Sequence, residues 1–454
     1  MYTFIREKYA DLVFPFGLPD CKYPNICKCV DEGSGTPTSQ EPIIKEQSRT
    51  NVRLPPQTTA TRTPELKRPV RKEPNRQVKP KPVTEETRFL YAYPLTEFLK
   101  ESLKEPEKQE YKTLKELDQA NYVSQFKAEA ANKPSNEKFN RYINIYPYDF
   151  NRIKLQTAVV GTDYINASYV TGPLSVVKDP MVVTPRPPKI IYTGEKAQPY
   201  DFSKYCNINF LAAQGPLPVT CAHFWQAVYE NDVDIIVMLT KLKEGGSGSY
   251  PGQTKCTQYW PSMSEKKLKA GNFEITIIEE IQVRPGITKR IFGLQGKDAT
   301  NSNQEHLVTQ LQYVGWPDYG IPEEDDHLIN LVKNVRYIIQ SDREKISRKE
   351  RFTVFAHCSA GVGRTGTFIA MYQMMDQIEE MLSKTQTNTG QSARNQNQCI
   401  DIFNTTLSLR SKRVEMVQSW AQYRYLYKSV AAYAKQVKSM NDADYYLCNE
   451  FMND

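Results

Sequence analysis

From Phe89 onward the chain alternates short apolar runs with longer stretches whose apolar residues recur every three or four positions. Residues 233–239 (VDIIVML), 273–281 and 351–355 are short and rich in β-branched side chains, which predicts strands. Residues 95–117, 326–340, 365–381 and 421–437 carry the helical spacing. Strands and helices interleave, so the expected class is α/β. One domain over residues 87–440, about 350 in all, has ample length for a sizeable core. Two polar stretches within it, near 173–205 and at 383–398 (SKTQTNTGQSARNQNQ), read as surface loop insertions. Residues 441–454 form a short C-terminal tail, and no internal repeat is present.

The apolar pattern is missing further upstream. Residues 51–82 hold seven prolines and nine basic residues against two acidic ones, which accounts for the whole formal charge of +7. Such a stretch buries too little surface to offset chain entropy, so residues 33–86 are expected to be a disordered basic linker. Residues 1–32 differ: Phe4, Ile5, Leu12, Val13, Phe14 and Phe16 precede Cys21, Cys27 and Cys29. They suit a short docking segment and are too few to fold alone. The three cysteines lack a fourth ligand for zinc, and no metal is expected. Because the rest of the chain is neutral, a nucleic-acid partner is not expected either.

No run approaches the length of apolar sequence that a membrane span needs, and the N-terminus lacks the pattern of a secretory leader. Nine scattered cysteines, an odd number, exclude a disulfide scaffold and favour a reducing compartment. The expected location is the cytoplasm, with the nucleus as an alternative through residues 67–72 (KRPVRK). A solvated basic linker is the simpler reading of that run. The prolines of 51–82 suit an SH3-type partner, and its basic residues suit an acidic surface.

The chemistry concentrates in residues 353–368 (TVFAHCSAGVGRTGTF) and the strand that leads into them. An apolar strand reaches His357 and Cys358, a glycine-rich loop follows, and Arg364, Thr365 and Gly366 open a helix. Strand, loop and helix N-terminus make an anion-binding geometry, where backbone N–H groups converge and the helix dipole adds positive potential. Gly361, Gly363 and Gly366 let the backbone curl around a tetrahedral anion. Arg364 can grip two phosphate oxygens, and the same field favours a thiolate at Cys358 aimed at phosphorus. A cysteine six residues before an arginine is weak alone: at an arginine frequency of about one in twenty, nine cysteines give about half a chance match. The glycines also fit a dinucleotide fingerprint, but the following 18 residues read as helix where that fold needs a second strand ending in an acid.

Other segments turn this into a specific resemblance. Asn140-Arg141-Tyr142, then Asp163 to Ser168 (DYINAS), Ala213-Gln214-Gly215-Pro216, Lys255 to Pro261 (KCTQYWP), Trp316-Pro317-Asp318 and Val417-Gln418-Ser419 with Gln422-Tyr423 occur in this order. With the Cys358 loop they make the sequence similar to the classical protein tyrosine phosphatases over about 300 residues. The first 88 residues lie outside it.

The resemblance implies a twisted mixed β-sheet flanked by helices and hydrolysis of phosphotyrosine in proteins without a cofactor. It implies Cys358 as nucleophile and Asp318, on a closing lid, as general acid and then base. Gln418 and Gln422 would orient the attacking water, and Thr365 would ease departure of the thiolate. Arg364 and the loop residues Ser359, Ala360, Gly361, Val362 and Gly363 would hold the phosphoryl oxygens, while His357 tunes Cys358. Tyr142 resembles the wall that deepens the cleft for phosphotyrosine, and Lys255 belongs to the substrate side. Two positions depart from the family pattern: Asn144 stands where an aspartate is usual, and Glu415 where many members have glycine. Both bear on peptide preference. Two alternatives are a catalytically weak phosphotyrosine-binding module and a polynucleotide 5′-phosphatase with a related cysteine loop.

Overall fold

The computed structural model describes residues 93–94, 98–99, 107–119, 126–156, 160–171, 208–245, 252–296, 305–317, 320–322, 326–345, 351–387 and 399–439. The expected docking segment 1–32 with its cysteines, the linker 33–86, the insertion near 173–205, the tail 441–454 and Asp318 lie outside these residues.

A nine-stranded mixed sheet organises the domain. Its centre is four parallel strands, β4 (Ile208–Ala213), β12 (Phe352–His357), β5 (Ile235–Met238) and β11 (His306–Tyr313), side by side in that order. β2 (Arg152–Lys154) and β3 (Tyr164–Tyr169) extend it antiparallel beyond β4. β10 (Ile287–Gly296), β9 (Phe273–Arg284) and β8 (Lys267–Ala270) do so beyond β11. Two short pairings lie apart: β1 (Tyr93–Pro94) with β13 (Cys399–Ile400), and β6 (Lys243–Glu244) with β7 (Gln253–Thr254). β5 and β12, at the middle of the sheet, read as nearly continuous apolar runs because both faces are covered. All six residues of β12 are buried.

Alternation along these strands divides the core in two. Phe210, Ala212, Ile235, Val237, Val354 and Ala356 face one side. There α1 (Glu107–Gln119), α3 (Asp326–Lys345), α4 (Gly363–Thr387), α5 (Ile402–Arg410) and α6 (Trp420–Ser439) contribute the covering side chains. Leu211, Ala213, Ile236, Met238 and Phe355 face the other, under Phe224 and Trp225 of α2 (Cys221–Glu230) and under Tyr259. Phe224 stacks on Phe355 at 5.0 Å between ring centroids. The predicted helices 326–340, 365–381 and 421–437 are α3, α4 and α6, each extending beyond the predicted limits. The predicted helix 95–117 includes most of α1. One boundary needs correction. The loop expected from residue 383 begins later, since α4 continues to Thr387. Adding residues to an established helix costs little even when they are polar.

α1 lies against α6 and buries an acid there. Tyr423 Oη donates to Glu110 Oε2, and burial pushes the Glu110 carboxyl up to about 8, with Asp401 and Glu107 adding to it. The folded chain therefore holds this proton between pH 4.5 and about 8, where the unfolded chain has released it, so stability falls as pH rises through that window. Glu110→Gln keeps an acceptor for Tyr423 and removes the titration. Thermal melts should show the variant close to wild type near pH 4 and more stable near pH 8, by an amount on the order of a few kcal/mol. Parallel curves at both pH values would contradict the assignment.

Candidate active site

β12 ends at His357, and the residues from Cys358 to Val362 loop over to the first turn of α4, at the carboxyl edge of the parallel strands. Ligand sites of open α/β sheets form at this edge. Five consecutive loop carbonyls are engaged from outside. His357 Nδ1 donates to Cys358 O at 3.2 Å, and the Gly215 amide donates to Ser359 O at 2.9 Å. Arg413 donates to Ala360 O and Gly361 O at 3.1 and 2.9 Å. The Gly366 and Val417 amides donate to Val362 O at 2.9 and 3.2 Å. Because the carbonyl and N–H of one trans peptide point opposite ways, the N–H groups of Ser359 to Gly363 turn inward. That of Gly361 donates to Cys358 Sγ at 3.2 Å. The loop is a ring of donors around a thiol.

Gly361 and Gly366 are required by contact with backbone, since a Cβ on Gly366 would stand 2.5 Å from Val417 N. Gly361 has φ +74°, and a Cβ there would stand 2.0 Å from Ala213 O. A Cβ on Gly363 would meet the Gln422 amide at 2.8 Å, so Gln422 rests directly on the loop.

Arg364 is nine-tenths buried and clamped in a fixed plane. Its two Nη atoms donate to the two carboxylate oxygens of Glu244 at 2.6 and 2.7 Å, and Nη1 donates also to Leu239 O at 3.0 Å. Burial works against the Glu244 charge, but Arg364 and the Thr240 hydroxyl outweigh it and hold the carboxyl below its ordinary range. Sequence reasoning missed Glu244, an isolated acid 120 residues from its partner. It also missed Arg413, which is fully buried and donates as well to Asn166 Oδ1 and Ser168 Oγ at 2.7 and 3.2 Å. Burial pushes its guanidinium down to about 10, so it stays charged at neutral pH.

The structure brings Tyr142 to the loop: its hydroxyl lies 2.7 Å from Ser359 Oγ, which donates to Lys255 O at 3.0 Å. Arg141 anchors the Tyr142 turn through Gly215 O and Pro216 O at 3.0 and 2.7 Å. Asn144 is exposed. Lys255 is buried, and its Nζ donates to Gln253 Oε1 at 2.9 Å.

Gln418 Nε2 donates to Glu415 Oε2 at 2.8 Å, and Tyr111 Oη donates to Gln418 O at 2.6 Å. Glu415 has φ +55° and Val417 +56°. The first value explains why glycine suits position 415, since left-handed backbone is strained for a side chain. Ser419 and Gln422 form a reciprocal capping box at the start of α6, at 3.2 and 3.3 Å. The Ser-x-x-Gln spacing is its sequence signal. Thr365 is buried beside the loop, and its hydroxyl has no hydrogen-bond partner among the described residues. Asp318 lies outside the described residues, between Pro317 and the turn where Trp316 Nε1 donates to Gly320 O at 3.0 Å.

Burial pushes His357 down to about 4, so its imidazole is neutral at physiological pH. Burial also pushes the Cys256 thiol up, and the Cys221 thiol up to about 11, which makes both poor nucleophiles.

Comparison with known proteins agrees with this geometry. The family described as protein-tyrosine phosphatase matches residues 136–432. The chain is 35% identical over 304 residues to the receptor-type tyrosine-protein phosphatase eta of Gallus gallus, covering 66% of this chain and 17% of that protein. It is 30% identical over 315 residues to the receptor-type tyrosine-protein phosphatase C of Homo sapiens, covering 68% and 19%. It is 34% identical over 304 residues to a phosphatidylinositol phosphatase of Rattus norvegicus, covering 66% and 10%. The chain thus spans less than a fifth of the length of these curated relatives. Among the described residues no helix is long and apolar enough to cross a membrane. With the family match running from the turn before Tyr142 through the cysteine loop and into α6, the chain belongs to the protein-tyrosine phosphatase family.

Proposed function

We propose that this chain hydrolyses phosphotyrosine in proteins through a cysteinyl-phosphate intermediate. The observation that carries the reading is the Cys358 loop, with the Gly361 amide on the sulfur and the loop carbonyls held by outside partners, together with Arg364 fixed by Glu244. Such donors act on the equatorial oxygens of a phosphoryl group as charge moves through the transition state. Cys358 Sγ forms a bond to phosphorus while the bond to the tyrosyl oxygen breaks, and Asp318 gives that oxygen its proton. In the second step Asp318 takes a proton from water, the water oxygen attacks phosphorus, and Cys358 leaves as thiolate. Inorganic phosphate is the product. Gln418 and Gln422 orient the water, and Thr365, whose hydroxyl has no other partner among the described residues, donates to the departing sulfur.

Tyr142 supplies depth, so that a phosphorylated tyrosine reaches Cys358 and a phosphoserine does not. Asn144 and Glu415 belong to the peptide side, and the Glu415 carboxylate disfavours acidic residues flanking phosphotyrosine. The scattered cysteines favour a reducing, intracellular compartment for the reaction. The test compares one preparation on a phosphotyrosine peptide, a phosphoserine peptide, an RNA 5′-triphosphate and phosphoinositide vesicles. Turnover of the first well above the others is expected. Binding of the phosphotyrosine peptide without turnover, or preference for the RNA or the lipid, would overturn the proposal.

Glu244→Gln should be costly in its own right. It removes the charge of the carboxylate to which both Nη atoms of the buried Arg364 donate, and breaking one side of a buried pair costs roughly 3–5 kcal/mol. The wild-type carboxyl, held below 4.5, contributes stability above that value and loses it as pH falls through the folded value. Chemical denaturation at neutral and acid pH should therefore show a large deficit for the variant that narrows in acid. An equal deficit at both would contradict the ion-pair account.

A further inference from the structure

Arg290 lies on β10, outside the Cys358 loop, with its side chain nine-tenths buried. Its direct neighbours across the sheet are Glu280 on β9 and Gln310 on β11. Glu280 accepts from Nε, and the guanidinium carbon lies 4.8 Å from the Trp260 ring centroid. Two chains of hydrogen bonds leave its Nη1.

The first runs to the nucleophile. Arg290 Nη1 donates to Gln310 Oε1 at 2.9 Å, and Gln310 Nε2 donates to Tyr259 Oη at 2.7 Å. Tyr259 Oη lies 2.8 Å from His357 Nε2. Arginine has donors only, which fixes the amide of Gln310 with its oxygen toward Arg290. Tyr259 therefore accepts from Gln310, and because the Cys358 carbonyl accepts from Nδ1 of the neutral imidazole at 3.2 Å, Nε2 is bare and accepts from Tyr259 Oη. The second chain runs to the phosphate grip. Arg290 Nη1 donates to Gln312 Oε1 at 2.9 Å, and Gln312 Nε2 donates to Thr240 O at 3.1 Å. The series continues through the Thr240–Lys241 peptide, whose Lys241 N–H donates to Glu244 Oε1 at 3.2 Å; Thr240 Oγ1 donates to the same oxygen at 2.8 Å, and Glu244 clamps Arg364. Gln310, Gln312, Tyr259, Thr240 and His357 are all buried.

We propose that Arg290 is a positioning residue for the reaction, setting the Cys358 loop through Gln310, Tyr259 and His357 and setting Arg364 through Gln312, Thr240 and Glu244. Its buried charge polarises both chains in one direction, and hydrogen bonds in series strengthen one another. The inference rests on the proposed roles of Cys358 and Arg364.

One experiment on the full chain reads both arms. Iodoacetamide, which is neutral, alkylates Cys358 at a rate that reports the thiol, and inorganic phosphate protects with a half-point that reports the Arg364 grip. Gln310→Met should slow alkylation by about five-fold, the factor carried by one typical hydrogen bond, and move the phosphate half-point by less than about two-fold. Gln312→Met should do the reverse. Arg290→Met should change both, and adding Gln310→Met to it should slow alkylation no further, because residues in one network are not additive. The two glutamine variants keep Arg290 and decide the question even where Arg290→Met folds poorly. If they move both readouts together in proportion to lost melting temperature, the residues are merely structural and the proposal fails. It fails too if Arg290→Met leaves both readouts at wild-type values. If the wild type is alkylated elsewhere before Cys358, or phosphate gives no protection, the assignment of the nucleophile itself falls and this inference with it.

Discussion

Cys358→Ser is expected to abolish turnover while leaving phosphotyrosine peptides bound. The loop's donors belong to the backbone, and its carbonyls are held by His357, Gly215, Arg413, Gly366 and Val417. None of these contacts involves the sulfur. Replacing Sγ by a hydroxyl therefore preserves the ring and Arg364, and with them the affinity for a phosphoryl group. What is lost is the nucleophile, since a serine hydroxyl is not ionised at neutral pH. Residual turnover within about a hundred-fold of wild type in a preparation free of contaminating phosphatase would contradict the account, because losing a covalent nucleophile costs more than that.

Asp318→Ala should lower kcat by about 10²–10⁴, the range for one positioned acid–base group, with little change in KM. The leaving tyrosyl oxygen needs a proton when its bond to phosphorus breaks. A substrate whose leaving group needs none, such as a nitrophenyl phosphate, should lose less. That contrast separates an acid from a residue that merely shapes the lid. A loss of equal size for good and poor leaving groups would remove Asp318 from the acid's role. A variant slowed at this step should also hold its substrates long enough for recovery from a mixture.

The parts legible in the sequence are those where one segment carries the signal. The β12 run, the glycines after Cys358 and the helical spacing that follows specify strand, loop and helix with no long-range information. The capping box of Ser419 and Gln422 is equally local. What stayed hidden is what the fold assembles from a distance. Arg413 and Arg290 look like surface residues by composition, yet each is buried because the chain gives most of its donors an acceptor. Isolated from their partners, such residues contradict the hydropathy pattern, and only the sheet register explains them. Gln310 and Gln312 interrupt β11 for the same reason. Glu415 was legible as a departure in sequence but not as a backbone one; its positive φ and its bond to Gln418 come from the turn into α6.

The central claim is that the phosphoryl group passes through Cys358. Mixing enzyme with excess phosphotyrosine peptide, quenching in acid within the first turnovers, and mapping the digest by mass tests it directly. The account predicts a phosphoryl group on the peptide containing Cys358, present during turnover and absent once substrate is exhausted. Glu244→Gln and wild type should both show it at that residue alone. Full turnover with no phosphorylated Cys358 peptide at any quench time, or with the phosphoryl group on another residue, would contradict it.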